Sequence, residues 1–535
     1  MRAASSIVLL LLGAGCGPAV LGIDVQLATR ACAGATAADP TRNPVTGVDT
    51  LRFRVTGDGL LPQQLEVPFA GGSAHLPGIP IGTGRRVTVE ARRGSHLVSR
   101  ADSGNFDVLG PADVHLQLFL RAVDAFTTTG SPDGSACTRL TLPRAGHAMT
   151  LLPDGRVLVS GGFSLDPATA KLQYHDAAEI FDPQTGAFAP LPASPLQRRA
   201  GHAAVAVTGP AGPAVLLAGG EGTQGNNPDG AAIALRPFEL YLDGAWSQVL
   251  PPAASPAREH QAAAVDLKTG SVLLAGGQGG PDSTSPGALD TASVFSPGSG
   301  AITDVTQRLR AGPLTDAVAV ARDNLRNGLK LGGVALVGGR DATGKVLTQL
   351  SGLVFSDSAN DFVDDPAYRT LALPSPRAHH IAARLRDDSL LTAGGVTSWT
   401  MAPDYAHTTA EVTLINPQAG TVGNLGQPLS RARADSCTAT LEDGTVLVVG
   451  GAWQDNAGLH SARQVDLIQP DLTVRPAYGP ESGDGTLQAA RHRAACVRLR
   501  DGSVLVTGGL QYPASGTGAP VALDSAEIYM PVGAP

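Results

Sequence analysis

The sequence predicts an all-β protein in which seven similar units follow one small N-terminal β-domain. A Gly-Gly pair closes an apolar run seven times, at intervals of 56 to 62 residues, and such a fixed period indicates a repeat architecture. The 66 Gly and 40 Pro residues, against only 16% charged residues, indicate many turns and few long helices. The pairs are Gly161-Gly162, Gly219-Gly220, Gly276-Gly277, Gly338-Gly339, Gly394-Gly395, Gly450-Gly451 and Gly508-Gly509.

Each unit has the same internal order. An Arg precedes a first apolar strand, and an Asp-Gly dipeptide such as Asp154-Gly155 then predicts a tight hairpin turn. The second strand, for example Val157 to Val159, is almost wholly apolar, which is typical of a strand buried on both faces. A third strand such as Ala178 to Asp182 and a short fourth strand follow. Four antiparallel strands per unit predict a seven-bladed β-propeller over residues 136–535.

The ends of the repeat region predict how the ring of blades closes. The last unit ends at Tyr529 to Pro531, with no room for a fourth strand. An unassigned strand, Cys137 to Leu142, stands before the first unit. We therefore expect Cys137 to Leu142 to pair with the strand around Glu527 and to complete the seventh blade, so that no sheet edge is left open.

Residues 22–126 show no repeat but alternate apolar and polar residues, as in Leu51 to Val55 and Val114 to Leu120. Alternation with Gly-rich turns between the strands predicts a small antiparallel sandwich, immunoglobulin-like or carboxypeptidase-regulatory-like. Residues 127–135 are rich in Thr, Gly, Ser and Pro and are predicted to be a linker.

The first residues indicate export. Arg2 is followed by the apolar run Ile7 to Leu12, which is too short for a stable membrane-spanning helix and has the length of a signal peptide. The run Leu12-Gly13-Ala14-Gly15-Cys16 resembles a bacterial lipobox, although Gly13 stands where Leu is usual. The resemblance implies cleavage after residue 15, lipidation of Cys16, and an exported outer-membrane or cell-surface lipoprotein. Secretion without an anchor and a cytoplasmic location are the alternatives.

Four cysteines remain after Cys16, and an exported chain permits them to form two disulfides in three connectivities. A bond between Cys32 and Cys137 would join the N-terminal domain to the start of the propeller. Cys437 and Cys496 lie in equivalent strands of adjacent units, offset by one residue relative to the Asp-Gly turn. They are predicted to be either a disulfide or two buried thiols.

The whole pattern, with Arg, Asp-Gly, Gly-Gly and a Glu-x-Tyr-x-Pro-like third strand, resembles the kelch family over about three quarters of the chain. The chain lacks the fourth-strand Trp usual in that family; Phe188 and Trp246 are the aromatic residues nearest to that position. In kelch propellers the arginines before the first strand help to bind acidic peptides. The resemblance therefore implies an anion-binding pocket at one mouth of the channel, and the structural alternative is that each Arg pairs with a Glu of the third strand, such as Glu179. The arginines are Arg144, Arg199, Arg258, Arg310, Arg377, Arg431 and Arg491.

Four histidines, His147, His202, His260 and His380, recur near these arginines. Imidazoles on neighbouring blades are a possible metal site. Because the positions are periodic, structural hydrogen bonding is the interpretation we favour, and no metal site is predicted.

Composition and motifs narrow the function. The net charge of −8 argues against a nucleic-acid partner. No Gly-x-Ser-x-Gly motif is present. The alternative is a copper radical enzyme similar to galactose oxidase, which needs two Tyr, two His and a Cys bonded to Tyr; Tyr174-His175 is the adjacent Tyr-His pair here. We predict a non-catalytic module without cofactor, held at the membrane by its lipid alone, that presents a propeller to a protein, peptide or glycan.

Overall fold

Nine strands precede the first strand of the first repeat within the described residues. In the computed structural model the described residues are 20–29, 44–69, 73–110, 114–130, 137–166, 168–209, 211–223, 232–280, 287–326, 329–400, 405–478 and 485–533. No helix within these ranges is long and apolar enough to cross a membrane. The first strands are β1 (Val20–Thr29), β2 (Thr50–Gly57), β3 (Leu60–Pro68), β4 (Ser73–Pro80), β5 (Gly82–Arg93), β6 (His96–Asp102), β7 (Phe106–Val108), β8 (Val114–Ala122) and β9 (Ala125–Thr128).

Strands β1 to β8 form one hydrogen-bonded sheet in the order β3-β2-β5-β6-β8-β1-β4, with β7 paired to β5. The inward residues of the alternating strands, such as Phe53, Val89 and Leu118, share one apolar core. Strand β1 pairs with β8 in parallel, whereas the sequence predicted antiparallel strands. Alternation has the same period in both arrangements and does not distinguish them. The immunoglobulin-like sandwich stays a prediction.

The repeat region forms seven four-stranded antiparallel sheets within the described residues, as predicted. The apolar run of each repeat is the buried second strand. The first six blades are β10 (Ala148–Leu151), β11 (Val157–Ser160), β14 (Ala178–Asp182), β15 (Ala187–Pro190); β16 (Ala203–Gly209), β17 (Gly212–Ala218), β20 (Phe238–Leu242), β21 (Ala245–Val249); β22 (Ala262–Val265), β23 (Val272–Ala275), β26 (Ala292–Ser296), β27 (Ala301–Asp304); β28 (Val318–Ala321), β31 (Val334–Val337), β32 (Leu350–Ser356), β33 (Asp361–Asp364); β34 (Ile381–Arg384), β35 (Leu390–Ala393), β36 (Val412–Asn416), β37 (Thr421–Asn424); and β38 (Cys437–Thr440), β39 (Val446–Val449), β42 (Val465–Ile468), β43 (Val474–Pro476).

The seventh blade is β44 (Ala495–Arg498), β45 (Val504–Thr507), β48 (Ala526–Met530) and β9. Short hairpins project from six blades: β12 (Phe163–Leu165) with β13 (Leu172–Tyr174), β18 (Glu221–Thr223) with β19 (Ala232–Ala234), β24 (Gln278–Gly279) with β25 (Gly287–Ala288), β29 (Leu325–Arg326) with β30 (Leu329–Lys330), β40 (Ala452–Asp455) with β41 (Gly458–Ser461), and β46 (Leu510–Gln511) with β47 (Val521–Ala522). A 3₁₀ turn, Pro366–Tyr368, follows β33.

The Gly-Gly pairs join each blade to the next. The amide of Gly162 donates to the carbonyl of Arg199 in the second blade at 2.8 Å, and the amide of Gly509 donates to Arg144 of the first blade at 2.8 Å. A Cβ on Gly161 would lie 2.3 Å from the Arg199 carbonyl oxygen, and Gly161 has a φ of +60°. Only glycine meets both conditions, which explains the period that the sequence shows.

The ring of blades is closed. Val157 and Phe181 of the first blade pack in one buried cluster with Leu505 and Ile528 of the seventh. The first strands of the blades contact one another around the centre, and β10 contacts both β16 and β44. They therefore surround a central axis, which we call the channel.

A strand that precedes the first repeat completes the seventh blade, as predicted, but the prediction that this strand is Cys137 to Leu142 was wrong. Strand β9 pairs with β48, with Thr128 opposite Glu527 and Phe126 opposite Tyr529. Residues Thr127 and Thr128, predicted to be linker, are therefore strand residues. The predicted segment contacts the chain just before β48, where Arg139 forms a bridge with Ser525.

One disulfide joins Cys437 of β38 to Cys496 of β44, with the Cα atoms 5.7 Å apart. It decides between the two alternatives for this pair and links the first strands of blades six and seven. By the chain-entropy model a bond that closes 59 residues stabilises the fold by about 4 kcal/mol. Cys137 is also disulfide-bonded, while its predicted partner Cys32 and the lipidation residue Cys16 lie outside the described residues.

Candidate functional site

Six buried arginines occupy an equivalent position in six of the seven blades. Arg144, Arg199, Arg258, Arg377 and Arg491 of the predicted set are at most 2% exposed, and Arg433 holds the same position in blade six. The Nη1 atom of Arg144 donates to the Gly161 carbonyl at 2.8 Å, and its Nη2 atom lies 2.8 Å from Glu179 Oε1. This geometry agrees with the structural alternative, in which the Arg pairs with a Glu of the third strand, because these guanidinium groups do not face solvent.

Ion pairs of this kind recur between the segment that precedes the first strand and the third strand of a blade. Arg491 lies 2.7 Å from Glu527, and Arg433 lies 2.8 Å from Asp466. The second oxygen of Glu527 accepts from the Gln488 amide at 2.7 Å, so the buried carboxylate is satisfied on both sides. Removing one partner of such a buried pair strongly destabilises the fold.

Two of the predicted arginines lie elsewhere. In blade four the equivalent position is Leu314, whose carbonyl accepts from Gly277 at 2.7 Å, and the Glu position is Ser351. Arg310 is about a third exposed, with its Nε 3.5 Å from Asp364. Arg431 lies over the ring of Trp453 at 4.1 Å. Both were therefore assigned to the wrong position in the repeat.

Histidines bridge neighbouring blades at a second repeated position. The Nε2 atom of His147 lies 2.7 Å from Thr507 Oγ1, and that of His202 lies 2.9 Å from Ser160 Oγ. Burial, followed by the charge of the nearby Arg, holds the pKa of His147, His202 and His380 well below the ordinary value. These three support the structural interpretation, whereas His260 occupies a different position.

A pH-dependent stability follows from His202. Its unfolded form binds a proton below pH 6.5 while the folded form does not, so stability falls by about 1.4 kcal/mol per pH unit below that value. We expect His202→Gln, which introduces the residue that blade three has as Gln261, to remove this pH-dependent loss of stability. Between pH 7.5 and pH 5.0, the free energy of unfolding measured in urea should fall by about 2 kcal/mol less in the variant than in the wild type. Equal losses in the two proteins would contradict the neutral buried imidazole.

A third repeated position surrounds one mouth of the channel. One residue per blade, just before the first strand, has a left-handed backbone with φ between +52° and +61°. Adjacent members are joined through the backbone; for example, the Gly201 amide donates to the Gly146 carbonyl at 2.8 Å. The seven, which we call the mouth ring, are Gly146, Gly201, His260, Asp316, His379, Asp435 and Arg493.

Five of the mouth-ring side chains form a chain in which basic and acidic groups alternate. His260 Nδ1 lies 3.0 Å from Asp316 Oδ1, and His379 Nδ1 lies 3.0 Å from Asp435 Oδ1. Arg493 Nε lies 3.2 Å from the other oxygen of Asp435. Burial opposes ionisation of Asp435, but the charges of His379 and Arg493 hold its pKa well below the ordinary value. Burial likewise opposes ionisation of Asp316, but His379, His260 and Arg340 lower its pKa, so both aspartates are anions at neutral pH.

The two glycines leave a gap in this ring. Gly146 and Gly201 belong to blades one and two, and a Cβ on Gly201 would meet nothing within 4 Å. The gap is bounded by Arg493 on one side and His260 on the other, whose side chains are 35% and 36% exposed. The mouth is therefore asymmetric, with a charged arc over blades three to seven and an opening over blades one and two.

Two carboxylates flank this opening. Glu221 follows the Gly-Gly pair of blade two and forms a bridge with Ala200, and Glu259 precedes His260. Burial and then the charge of Glu221, partly offset by His260, raise the pKa of Glu259. The buried Tyr174 faces the same carboxylates: burial and then Glu221 raise the pKa of its hydroxyl.

Aromatic rings cover the opposite part of the mouth. Trp399 stacks on His379 with ring centroids 4.6 Å apart, and Tyr512 stacks on His492 at 4.9 Å. The hydroxyl of Tyr405 donates to Asp435 at 2.5 Å. The mouth thus combines charged groups with aromatic rings, of which Trp399 is partly exposed while Tyr405 and Tyr512 are buried.

Comparisons with known proteins add little to this geometry. No protein-family model matches the chain, and no curated protein matches it. The chain is similar to a solved structure described as "Structure of YjhT", with 17% identity, a TM-score of 0.44, and coverage of 63% of this chain and 98% of that chain. A TM-score this low carries no argument about function, and the propeller is established by the seven sheets themselves.

Sequence reasoning missed most of the mouth ring. Aligned on the buried Arg, the repeats read Arg-Ala-Gly-His at Arg144 and Arg199 but Arg-Glu-His-Gln at Arg258. Gln261 therefore corresponds to His147, and His260 corresponds to Gly146. The sequence does show that Glu and His replace the Ala and Gly of the first two repeats at this place. This difference was overlooked because His260 was assigned to the structural histidines.

Proposed function

We propose that this chain is an exported, lipid-anchored, kelch-type binding module that receives a glycan at the gap in the mouth ring. The observation that carries the proposal is the asymmetry of the mouth. Scaffold features recur in every blade, whereas Glu259, His260 and Arg493 depart from the residues that the first two blades carry. A site on a symmetric frame is expected where the repeat is broken.

The charges around the gap favour a hydroxyl-rich ligand. Glu221 and Glu259 accept hydrogen bonds but repel anions, while Arg493 donates hydrogen bonds and repels cations. A sugar presents neutral hydroxyl groups that both donate and accept. Trp399, which stacks on His379 and is partly exposed, offers an apolar surface to a sugar ring, whereas Tyr512 is buried. A glycan therefore suits the mouth better than an acidic peptide.

The copper radical alternative receives less support. It requires a cysteine bonded to a tyrosine, and Cys137, Cys437 and Cys496, the cysteines within the described ranges, are all disulfide-bonded. Tyr174 does lie at the mouth, and desolvation lowers the pKa of the partly buried His175 beside it in sequence to about 4. We therefore keep the non-catalytic proposal.

The binding proposal is tested on a glycan array with the wild-type protein and Arg493→Gly, which gives blade seven the residue of Gly146 and Gly201. We expect the variant to lose at least tenfold in affinity, because a hydrogen bond from a charged group contributes about 1.5 to 3 kcal/mol. The matched control is Arg156→Ala, an exposed arginine on the opposite face that pairs with Asp154. Equal binding by wild type and Arg493→Gly would remove the mouth from the proposal.

The anchor is tested separately. We expect Cys16→Ser to move the protein from the membrane fraction to the soluble fraction and to abolish incorporation of labelled fatty acid. The measurement is fractionation of cells that export the full chain. A variant that stays in the membrane fraction would contradict lipidation at Cys16.

A further inference from the structure

The carboxylates beside the gap lie close to an imidazole. One ligand atom from each of Glu221, Glu259 and His260 can be chosen so that all three lie within 4.8 Å of one another. Two carboxylates at this separation repel each other, and no cation of the described chain pairs with either of them at salt-bridge distance. The three side chains are each partly buried rather than fully exposed.

The imidazole is held as in metal sites. His260 Nδ1 is engaged by Asp316 Oδ1 at 3.0 Å, so Nε2 is the nitrogen left for another ligand. Asp316 is itself fixed by Arg340, whose Nε donates to it at 2.8 Å. A carboxylate behind a histidine in this way orients the ring and raises its basicity towards a metal.

A buried hydroxyl points independently to a missing partner. Tyr174 is 2% exposed, and its hydroxyl makes no hydrogen bond of ordinary length to any described group. After burial, the charge of Glu221, a hydrogen bond to it that is outside ordinary geometry, and the charge of Glu259 all raise the pKa of this hydroxyl, which places it beside the cluster. Leaving a buried hydroxyl unsatisfied costs about 1 to 3 kcal/mol, and a ligand between these groups removes that cost.

The geometry points to a divalent transition-metal site in which Glu221, Glu259 and His260 bind the ion, with Asp316 orienting His260 and Tyr174 beside the open position. Two carboxylates with one imidazole suit Zn²⁺, whose three-ligand sites keep a fourth position open for water or another ligand. The inference goes beyond the proposed function and does not require that the ligand be a glycan.

The repeat supplies its own test variants. Glu259→Ala gives blade three the residue that Ala145 and Ala200 provide in blades one and two, and His260→Gly copies Gly146 and Gly201. Both changes place a residue already used at that position in this fold. The matched control is His460→Gln, because His460 forms an exposed pair with Asp455 at 3.0 Å that is able to bind zinc adventitiously.

The experiment is isothermal titration of the metal-free, full-length chain with Zn²⁺, and with Mn²⁺ and Ca²⁺ for comparison. We expect one Zn²⁺ per chain, bound more tightly than Ca²⁺, with affinity reduced at least tenfold in Glu259→Ala and in His260→Gly and unchanged in His460→Gln. Equal affinity in wild type and both mouth variants, loss in His460→Gln, or tighter Ca²⁺ binding would overturn the inference. Glycan binding that fails while zinc binding persists would overturn the proposed function alone.

Discussion

Arg144→Ala is expected to lower the free energy of unfolding by about 3 to 5 kcal/mol, because it leaves a carboxylate buried without its counter-charge. Arg144 and Glu179 both have fully buried side chains and lie 2.8 Å apart. Two backbone carbonyls, those of Gly161 and Ala177, lose their donor as well. The measurement is chemical unfolding of wild type and variant.

Blade four provides the compensating change. It carries Leu314 and Ser351 where blade one has Arg144 and Glu179. We expect the double variant Arg144→Leu with Glu179→Ser to recover much of the lost stability, since removing both charges is often neutral. Arg310→Ala, at a partly exposed side chain, should cost less than about 1 kcal/mol. Equal effects of Arg144→Ala and Arg310→Ala would contradict the buried ion pairs.

Phe126→Ala is expected to cost about 3 to 5 kcal/mol, because it empties part of the core that closes the ring. Phe126 is fully buried in β9, opposite Tyr529, with ring centroids 5.3 Å apart. It packs with Leu447 and Val465 of blade six as well as with blade seven. Thermal unfolding of the full chain measures the effect.

Leu142→Ala is the matched control for closure. Leu142 ends the segment that the sequence favoured as the closing strand, but it is 38% exposed and should change stability by less than about 1 kcal/mol. A larger loss from Leu142→Ala than from Phe126→Ala would favour the sequence-based assignment of the closing strand.

The blade count was predictable because its cause is local. In six of the seven Gly-Gly pairs a carbonyl of the next blade leaves no space for a Cβ on the first Gly, as at Gly161 beside Arg199, and at Gly219 the side chain of Gln261 does so. Steric requirements of this kind leave the same residues in every repeat. The closing strand has no such requirement: Ala125–Thr128 is four residues long and continues from β8 after two residues, so nothing in the sequence separates it from the N-terminal domain.

The arginine assignments show what a motif leaves undecided. Arg431 and Arg433 are two residues apart, and only the distance to the Gly-Gly pair distinguishes them: Arg433 precedes Gly450 by 17 residues, as Arg144 precedes Gly161. In blade four the longer turn hides the position of Leu314. The ion pairs themselves depend on strand pairing across 35 residues, for example Arg144 with Glu179, and required the structure.

The face of the propeller that contacts the ligand decides most directly whether the mouth is the binding site. Hydrogen–deuterium exchange of the full chain, with and without a glycan selected on the array, measures this. We expect protection at the mouth, in the segments around His260 and Arg493, and none at the Asp-Gly turns of the opposite face, such as Asp154-Gly155 and Asp501-Gly502. Protection confined to those turns, with the mouth unchanged, would contradict the account.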